Sequence, residues 1–407
     1  MSTRSSTNTI QPRISKGFSL VELMVAMAIG LIVSLAVFSA LSTFEGRKRT
    51  STSVNDTEQA GNYAIFEIEK LVRNAGAGIT QKTDDAFDYL LCSLAASKSA
   101  ATILPATPPA PFNNVTIGTA GVFRLAPALI LPGQTTPGVS GQASDVLAVM
   151  ASASGRSEVA SPFQAAPTAT RLAVFSNAGF AANDIILVAR KGGLGNCLIQ
   201  QVGSLDNADV NNQGLNLAGT HYAASPGGVA LVSSDFCSTA TTPAIASVCN
   251  VLNLGSTTNP PLFALIGVGD NNTLFSYDLL RVQNDAALQI ADGVFEMHAR
   301  YGVDSNNDGR VDTWASATGT YAPASLLAAD GSGIANLCRI KAIRVGLITR
   351  SDLREKEDVG DATITLFQDL PAAVQHTRNL SGDALKFRYK TLESTIPLRS
   401  MLGVCAS

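Results

Sequence analysis

The feature that most constrains this chain is a single long apolar segment near its N-terminus. The segment runs from Phe18 to Phe38 with one charged residue, Glu22, and its apolar character continues to Phe44. As a helix rising about 1.5 Å per residue it would be about 31 Å long, which matches the roughly 30 Å hydrocarbon core of a bilayer. No second segment of this kind occurs in the sequence. The sequence therefore predicts one N-terminal membrane anchor.

Two ordinary explanations of this segment are incomplete. A secretory signal has an apolar region of about 7–15 residues and a small-x-small cleavage site. This segment is longer, and its late candidate site places the bulky Phe38 three residues before the cut. A plain anchor fits the length but does not explain Glu22, because a carboxylate costs roughly 2.5–3.5 kcal/mol at the bilayer centre and less near its surface.

A third explanation rests on the sequence Lys16-Gly17-Phe18-Ser19-Leu20-Val21-Glu22-Leu23. It resembles the class III signal of type IV prepilins. The resemblance implies that a prepilin peptidase cuts after Gly17 and N-methylates Phe18, and that Glu22 directs assembly by pairing with the N-terminus of a neighbouring subunit. Such pairing offsets the cost of placing each charge in hydrocarbon. The alternative is that Glu22 lies at headgroup depth and reaches water.

Charge alone does not orient the anchor, because three Lys or Arg residues precede it and three follow it. The prepilin resemblance places the N-terminus in the cytoplasm. It implies a single-pass inner-membrane protein with a periplasmic head, which enters the tip or base of a pilus after assembly.

The helix is expected to continue beyond the membrane. A stripe with helical spacing follows it, at Ala60, Ala64, Ile68, Leu71, Val72 and Ala75, and a glycine-rich stop signal lies at 74–78. We therefore divide the chain into a cleaved leader (1–17), a transmembrane half-helix (18–44), a periplasmic half-helix (45–78) and a β-rich head (79–407).

The head has the patterns of short strands. Runs of β-branched and other apolar residues occur at 145–150, 171–175, 184–190 and 228–232, and alternating patterns occur at 294–303, 343–350 and 385–390. In the first alternating run we expect Glu296, His298 and Arg300 on a solvent-exposed face. The ranges 99–144 and 205–227 are interpreted as insertions without an assigned fold. The predicted fold class is α+β and pilin-like: a long N-terminal helix packed on an antiparallel β-sheet with large loop insertions.

A second resemblance lies in the C-terminal part. Residues 291–304, 340–350 and 391–399 are similar to PilW-type minor pilins of type IV pili, which are related to the J-type minor pseudopilins of type II secretion. This resemblance implies a minor pilin that primes or caps pilus assembly. Its partners would be the prepilin peptidase, other minor pilins, the major pilin, the inner membrane and a tip adhesin. Two alternatives stay open: a minor pseudopilin, or a membrane-anchored adhesin or binding module whose activity lies within 80–285.

Composition argues against two other classes of protein. Lys and Arg number 29 against 32 Asp and Glu, so no global positive field would attract nucleic acid. The three histidines have no metal-ligand spacing, and no nucleophile-elbow motif occurs. We therefore expect neither an enzyme nor a required cofactor.

One loop resembles a calcium site in its spacing. Oxygen-bearing side chains recur at alternate positions, with a glycine at the sixth position for the turn. The candidate ligands are Asp304, Asn306, Asp308, Arg310 (through its backbone carbonyl) and Asp312. The twelfth position is Ala315, so the bidentate Glu of an EF-hand is missing. The alternatives are weak calcium binding or a polar hairpin turn.

The six cysteines follow the membrane segment and would lie in an oxidising compartment. They are the disulfide candidates Cys92, Cys197, Cys237, Cys249, Cys338 and Cys405. Six cysteines allow 15 pairings in principle. The spacing suggests a local Cys237–Cys249 loop, and Cys338–Cys405 would tie the end of the chain to the sheet.

Overall fold

The computed structural model describes residues 17–83, 86–87, 89–115, 117, 122–135, 143–156, 159–192, 195–207, 213–232, 237 and 248–402. The chain divides into two compact units, Met1–Val54 and Asn55–Ser407.

The helices are α1 (Leu20–Arg73), α2 (Pro323–Leu326), α3 (Ser332–Cys338) and α4 (Arg399–Leu402). The strands up to residue 217 are β1 (Lys82–Thr83), β2 (Ala86–Phe87), β3 (Ser93–Lys98), β4 (Ala101–Leu104), β5 (Phe123–Arg124), β6 (Ala128–Thr135), β7 (Ser144–Ala151), β8 (Ser161–Pro162), β9 (Arg171–Val174), β10 (Asp184–Arg190), β11 (Asn196–Asp206) and β12 (Gln213–Leu217). The later strands are β13 (Cys249–Ser256), β14 (Leu262–Gly269), β15 (Thr273–Asp278), β16 (Leu288–Ala291), β17 (Val294–Val303), β18 (Thr313–Ala315), β19 (Ile340–Arg350), β20 (Thr363–Leu366), β21 (His376–Asn379) and β22 (Tyr389–Pro397).

The first unit contains the N-terminal part of α1. Every residue from 17 to 49 is exposed, although the helix is apolar on all its faces over most of this stretch. A helix that is hydrophobic all round requires an apolar environment. Within the described ranges, α1 is the one helix long and apolar enough to cross a membrane. This confirms the predicted N-terminal apolar helix.

In the second unit, the last part of α1 packs on the head through the predicted stripe. Ala64, Ile68 and Val72 are fully buried, as is Ala75 in the turn that follows. The helix ends at Arg73, before glycines 76 and 78 adopt positive φ angles, so the predicted stop signal is confirmed.

The described strands form three larger sheets and two small hairpins. The largest has the path β4-β3-β11-β10-β13-β8, with β5, β12 and β9 attached at its sides. The second has the order β16-β15-β14-β7-β6, and the third, near the C-terminus, has the order β18-β17-β19-β22. The pairings among these strands are antiparallel except that of β3 with β11. A long helix with mainly antiparallel sheets confirms the α+β, pilin-like fold class.

Parts of the two proposed insertions carry strands. The range 99–144 includes β4, β5 and β6, and the range 205–227 includes β12. Leu129, Ile130 and Leu215 are fully buried there. β4, β6 and β12 each pair with a strand next to them in the chain, and β5 pairs with β3.

Two predicted strands are wrong in part. Residues 228–232 are not a strand, because Pro226–Gly228 forms a 3-10 turn in which both glycines have positive φ angles. The pattern at 385–390 becomes a strand only at Tyr389, because Gly382–Lys386 forms a 3-10 turn closed by local backbone hydrogen bonds. In both places turn-forming glycine overrides the apolar pattern.

The expected exposed face of β17 is also wrong. All ten residues of β17 are buried, including Glu296, His298 and Arg300. The segment that contains the β20–β21 hairpin covers this face: Arg300 donates hydrogen bonds to the carbonyls of Val374 and Gln375. The alternation correctly indicated a strand, but the polar side chains face another layer of the protein instead of water.

Candidate functional site

The N-terminal motif forms a helix cap. The Ser19 N–H donates to Glu22 Oε2 at 3.0 Å, and the Glu22 N–H donates to Ser19 Oγ at 3.2 Å. This reciprocal pair is a capping box, which satisfies two backbone donors at the start of α1. Sequence reasoning missed it, although Ser-x-x-Glu before an apolar run is its signal. Glu22 therefore has a local structural role as well as its expected role in assembly.

The two residues at the expected cleavage site are free of structural constraints. Among the described residues, nothing lies within 4 Å of the position that a Cβ at Gly17 would take, and the φ of Gly17 is not in the left-handed region. Phe18 is 84 % exposed. Folding therefore sets no requirement for glycine at position 17.

The C-terminal sheet contains a buried cluster of ionisable side chains. Glu296 Oε2 lies 3.3 Å from Nε2 of His298 and 3.3 Å from Nε2 of His376. The two imidazole rings stack with their centroids 3.5 Å apart. On the other oxygen of the same carboxylate, Arg378 Nε lies 3.2 Å from Oε1. The cluster thus joins β17 to the β20–β21 hairpin.

Asp145 extends the cluster to the second sheet. Its Oδ2 lies 3.5 Å from His298 Nδ1 and 4.0 Å from Arg300 Nη1. The carboxylate also accepts hydrogen bonds from the N–H groups of Ala299 (3.1 Å) and Gly133 (3.2 Å). Next to it, Ser144 Oγ donates to the carbonyl of residue 297 and accepts from its N–H. These contacts fasten the start of β7 to the middle of β17.

The pKa values of this cluster show that pairing outweighs burial. Burial of Glu296 disfavours its charged form, but hydrogen bonds to the two imidazoles and the charge of Arg378 lower its pKa to about 2. Burial likewise opposes the charge of His298, yet Asp145 and Glu296 raise its pKa above the ordinary value. Asp145 keeps a lowered pKa, because the hydrogen bond and charge of His298 and the two backbone N–H bonds outweigh its burial.

Sequence reasoning did not find this cluster. His298 was expected on an exposed face, and it is 5 % exposed. His376 is 78 positions further along the chain, so no local ligand spacing links the two rings. Tertiary packing alone brings them together. The third histidine, His221, is also buried, and its Nε2 lies 3.1 Å from the Leu280 carbonyl.

The candidate calcium loop is closed by its own hydrogen bonds. Asp304 accepts from the N–H groups of Asp308 (3.0 Å) and Gly309 (2.8 Å), and Asp308 Oδ1 accepts from the Arg310 N–H. Asn306 Oδ1 accepts from the Asp308 N–H at 3.1 Å. Asp312 Oδ2 accepts from the N–H and the hydroxyl of residue 305. The candidate ligand residues thus lie together in one hydrogen-bonded loop. Calcium binding at this loop stays a prediction.

Two disulfides are described. Cys237 bonds to Cys249, the pair that the local spacing suggested. Cys92 bonds to Cys197 across a sequence separation of 105. Cys338 is disulfide-bonded as well, and Cys405 lies outside the described residues, so the Cys338–Cys405 pair stays a prediction.

Two family models match this chain, one near each end. Residues 12–38 match the family model of the prokaryotic N-terminal methylation motif. Residues 267–400, which include β15 to β22 and most of the buried cluster, match the family model of the type IV pilus-assembly protein W. No curated protein and no solved structure gives a match. The two family matches confirm the resemblance seen in the sequence and support a type IV pilus minor pilin of the PilW type.

Proposed function

We propose that this chain is a structural subunit that primes or caps assembly of a type IV pilus. The proposal rests on the combination of two features, one near each end of the chain. A methylation motif opens an exposed helix that is apolar up to Phe44 apart from Glu22, and the C-terminal third matches the family model of the type IV pilus-assembly protein W. The first feature supplies membrane anchorage and packing between subunits. The second supplies a folded head that meets other pilus components.

In the proposed sequence of events, prepilin peptidase cuts between Gly17 and Phe18 at the cytoplasmic face of the inner membrane. The open space at Gly17 and the exposure of Phe18 leave this bond accessible. The cut creates an ammonium group at Phe18, which the peptidase then methylates. The Ser19–Glu22 capping box survives the cut, because the amide that Ser19 donates belongs to the peptide bond between residues 18 and 19.

The charge of Glu22 then acts between subunits. Oε2 is engaged by the Ser19 N–H, and Oε1 is available to the ammonium group of a neighbouring subunit. An ammonium and a carboxylate that meet in hydrocarbon offset much of each other's desolvation cost. Pairing favours the stagger at which the two groups meet. The helix then packs among the helices of the other minor pilins and the major pilin, while the head contacts the tip complex and its adhesin.

The first experiment measures intact mass and N-terminal sequence of the protein from cells with and without prepilin peptidase. We expect a chain that begins at N-methylated Phe18 when the peptidase is present, and an uncut leader when it is absent. The Gly17→Val variant should stay uncut in both strains, because folding does not need glycine there but a peptidase subsite does. A wild-type chain that keeps its leader in the presence of peptidase contradicts the proposal.

A second experiment separates the two roles of Glu22. Glu22→Gln removes the charge but keeps a side chain that can complete a capping box, since Gln also serves at this position. We expect Glu22→Gln to be processed normally and to lose most of its incorporation into sheared pili, whereas the capping variant Ser19→Ala keeps the charge and should still be incorporated. Normal incorporation of Glu22→Gln means that Glu22 acts only as a cap.

The same strains discriminate the type II secretion alternative. A pilus subunit is recovered in sheared pili, and its deletion lowers pilus number while secretion of extracellular enzymes continues. The opposite pattern assigns the chain to a secretion pseudopilus. The match to the family model of a pilus-assembly protein favours the pilus over the secretion pseudopilus.

A further inference from the structure

We propose that Glu296, His298 and His376 form a binding site for a divalent transition metal ion, with Zn²⁺ as the best-fitting ion. The three ligand atoms are Glu296 Oε2 and the Nε2 atoms of the two histidines, and all lie within 4.8 Å of one another. Two imidazoles and one carboxylate are a frequent Zn²⁺ ligand set in proteins. This inference is independent of the role proposed for the N-terminal motif.

The distances within the cluster fit a bound metal as well as they fit long hydrogen bonds. Both Nε2 atoms lie 3.3 Å from Glu296 Oε2, and both converge on that one oxygen. Hydrogen bonds between nitrogen and oxygen are most often about 2.9–3.0 Å long, and shorter still when charged. A tetrahedral ion with ligand bonds of about 2.0–2.1 Å separates its ligand atoms by about 3.3 Å. The two nitrogen–oxygen separations therefore match the edge of a tetrahedral site. The two imidazole rings, which are stacked with their centroids 3.5 Å apart, must turn apart for both Nε2 lone pairs to point at one ion.

A second carboxylate, that of Asp145, lies where it can accept a hydrogen bond from the other ring nitrogen of His298. Asp145 Oδ2 is 3.5 Å from His298 Nδ1, on the side of the ring opposite Nε2. Histidines that bind metals commonly donate their other N–H group to a carboxylate, which fixes the tautomer and the ring orientation. Backbone N–H groups of Ala299 and Gly133 hold Asp145 in turn. Asp145 thus acts as a positioning residue for His298.

Nearby arginines set a limit on affinity. Arg378 contacts Glu296 through Oε1 and leaves Oε2 to the ion, and Arg300 lies 4.0 Å from Asp145. Two guanidinium groups balance the two carboxylates, so the charge of the ion is not fully compensated by the protein. We therefore expect micromolar rather than nanomolar affinity. The side chain of His376 is 25 % exposed, and the ion and a water as fourth ligand enter from that side.

The site would act as a cross-link in the head. Glu296 and His298 belong to β17, His376 belongs to β21, and Asp145 belongs to β7. One ion would therefore fix the hairpin onto the C-terminal sheet and, through Asp145, reach the second sheet. Among the cysteines that the structure describes, all are disulfide-bonded, so no thiolate in that part competes for the ion.

The test uses the full chain, purified in detergent and stripped with a chelator. Zn²⁺ is titrated by calorimetry, bound metal is counted by mass spectrometry, and Tm is recorded with and without Zn²⁺. We expect one Zn²⁺ per chain, a raised Tm, and at least tenfold weaker binding in His376→Gln and Glu296→Gln. The matched control is His221→Gln, which removes the histidine outside the cluster and should bind as the wild type does.

Two results would overturn the site: no stoichiometric Zn²⁺ in the wild-type chain at sub-millimolar metal, or equal binding by His376→Gln and the wild type. If the variants do not fold, the visible absorption spectrum of Co²⁺ bound to the wild-type chain tests the site instead. The intense visible absorption of four-coordinate Co²⁺ supports the site, and the weak absorption of octahedral Co²⁺ contradicts it.

Discussion

Glu22 has one role that the structure shows and a second role that we propose. Its carboxylate completes a cap at the start of α1, which is a local and intramolecular role. The same carboxylate is exposed, and the part of its unit that the structure describes holds no second element on which the helix packs. A cap alone does not require a charge, because Gln also caps. The proposed role in assembly therefore depends on the charge of Glu22, which the cap does not need.

Gly61 has a steric role that a substitution can reveal. A Cβ there would lie 2.5 Å from Leu392 Cδ1 and 2.9 Å from Thr349 Cγ2. We expect Gly61→Val to lower the free energy of unfolding of the head by about 1–3 kcal/mol, as overpacking of a tight contact does. Denaturant unfolding of the detergent-solubilised chain, followed by near-UV circular dichroism, measures this.

Gly46→Val is the matched control, because position 46 lies in the same helix with nothing within 4 Å of its Cβ position. The control should leave the stability of the head unchanged. Equal effects of the two variants would show that helix propensity, and not the contact with Leu392, determines the result.

At the scale of elements, β17 shows why a polar face does not imply solvent. A strand with Glu, His and Arg on alternate positions normally has one exposed face. Here Arg378 of the β20–β21 hairpin pairs with Glu296, and Asp145 of β7 lies 4.0 Å from Arg300. The fully buried ring of Phe367 lies 5.0 Å from the guanidinium carbon of Arg300. Burial is tolerated because each charge is paired.

The 304–312 loop is the element on which calcium can be tested. Its carboxylates already accept loop N–H groups, so calcium must use their remaining lone pairs and any affinity is weak. We expect a Kd for Ca²⁺ in the sub-millimolar to millimolar range. At a Ca²⁺ concentration ten times this Kd, the free energy of unfolding should rise by about 1.4 kcal/mol. Thermal melts in Ca²⁺ and in Mg²⁺ measure it.

The Asp308→Asn variant should lose that gain, and Asp361→Asn, at an exposed position outside the loop, should keep it. An unchanged Tm of the wild-type chain at millimolar Ca²⁺ would identify the loop as a polar turn.

At the scale of the whole head, the disulfides differ in how much chain they close. Cys92–Cys197 spans 105 residues and Cys237–Cys249 spans 12. The chain-entropy model predicts losses of about 5 kcal/mol for the first and about 3 kcal/mol for the second when each is removed. Denaturant unfolding of the two double Cys→Ala variants compares them. If the short loop proves the more costly, native-state packing around it outweighs chain entropy.

The two disulfides whose partners are both described lie outside the C-terminal family match. Residues 267–400 contain the four-stranded sheet and the hairpin, whereas both described disulfides lie before residue 267. Cys338 lies within the family match and is disulfide-bonded as well, so covalent links occur in both parts of the head.

The sequence alone determined the features that depend on neighbouring residues. The apolar anchor, the stripe of Ala64, Ile68 and Val72, and the end of α1 all follow from spacing and local turn chemistry. The Ser19–Glu22 cap was equally readable, since its two partners are three residues apart. Only the tertiary structure decided which polar residues are buried and which residues they contact. His298 meets His376 and Asp145 because sheets and a hairpin distant in sequence pack together, and no local pattern records such a contact.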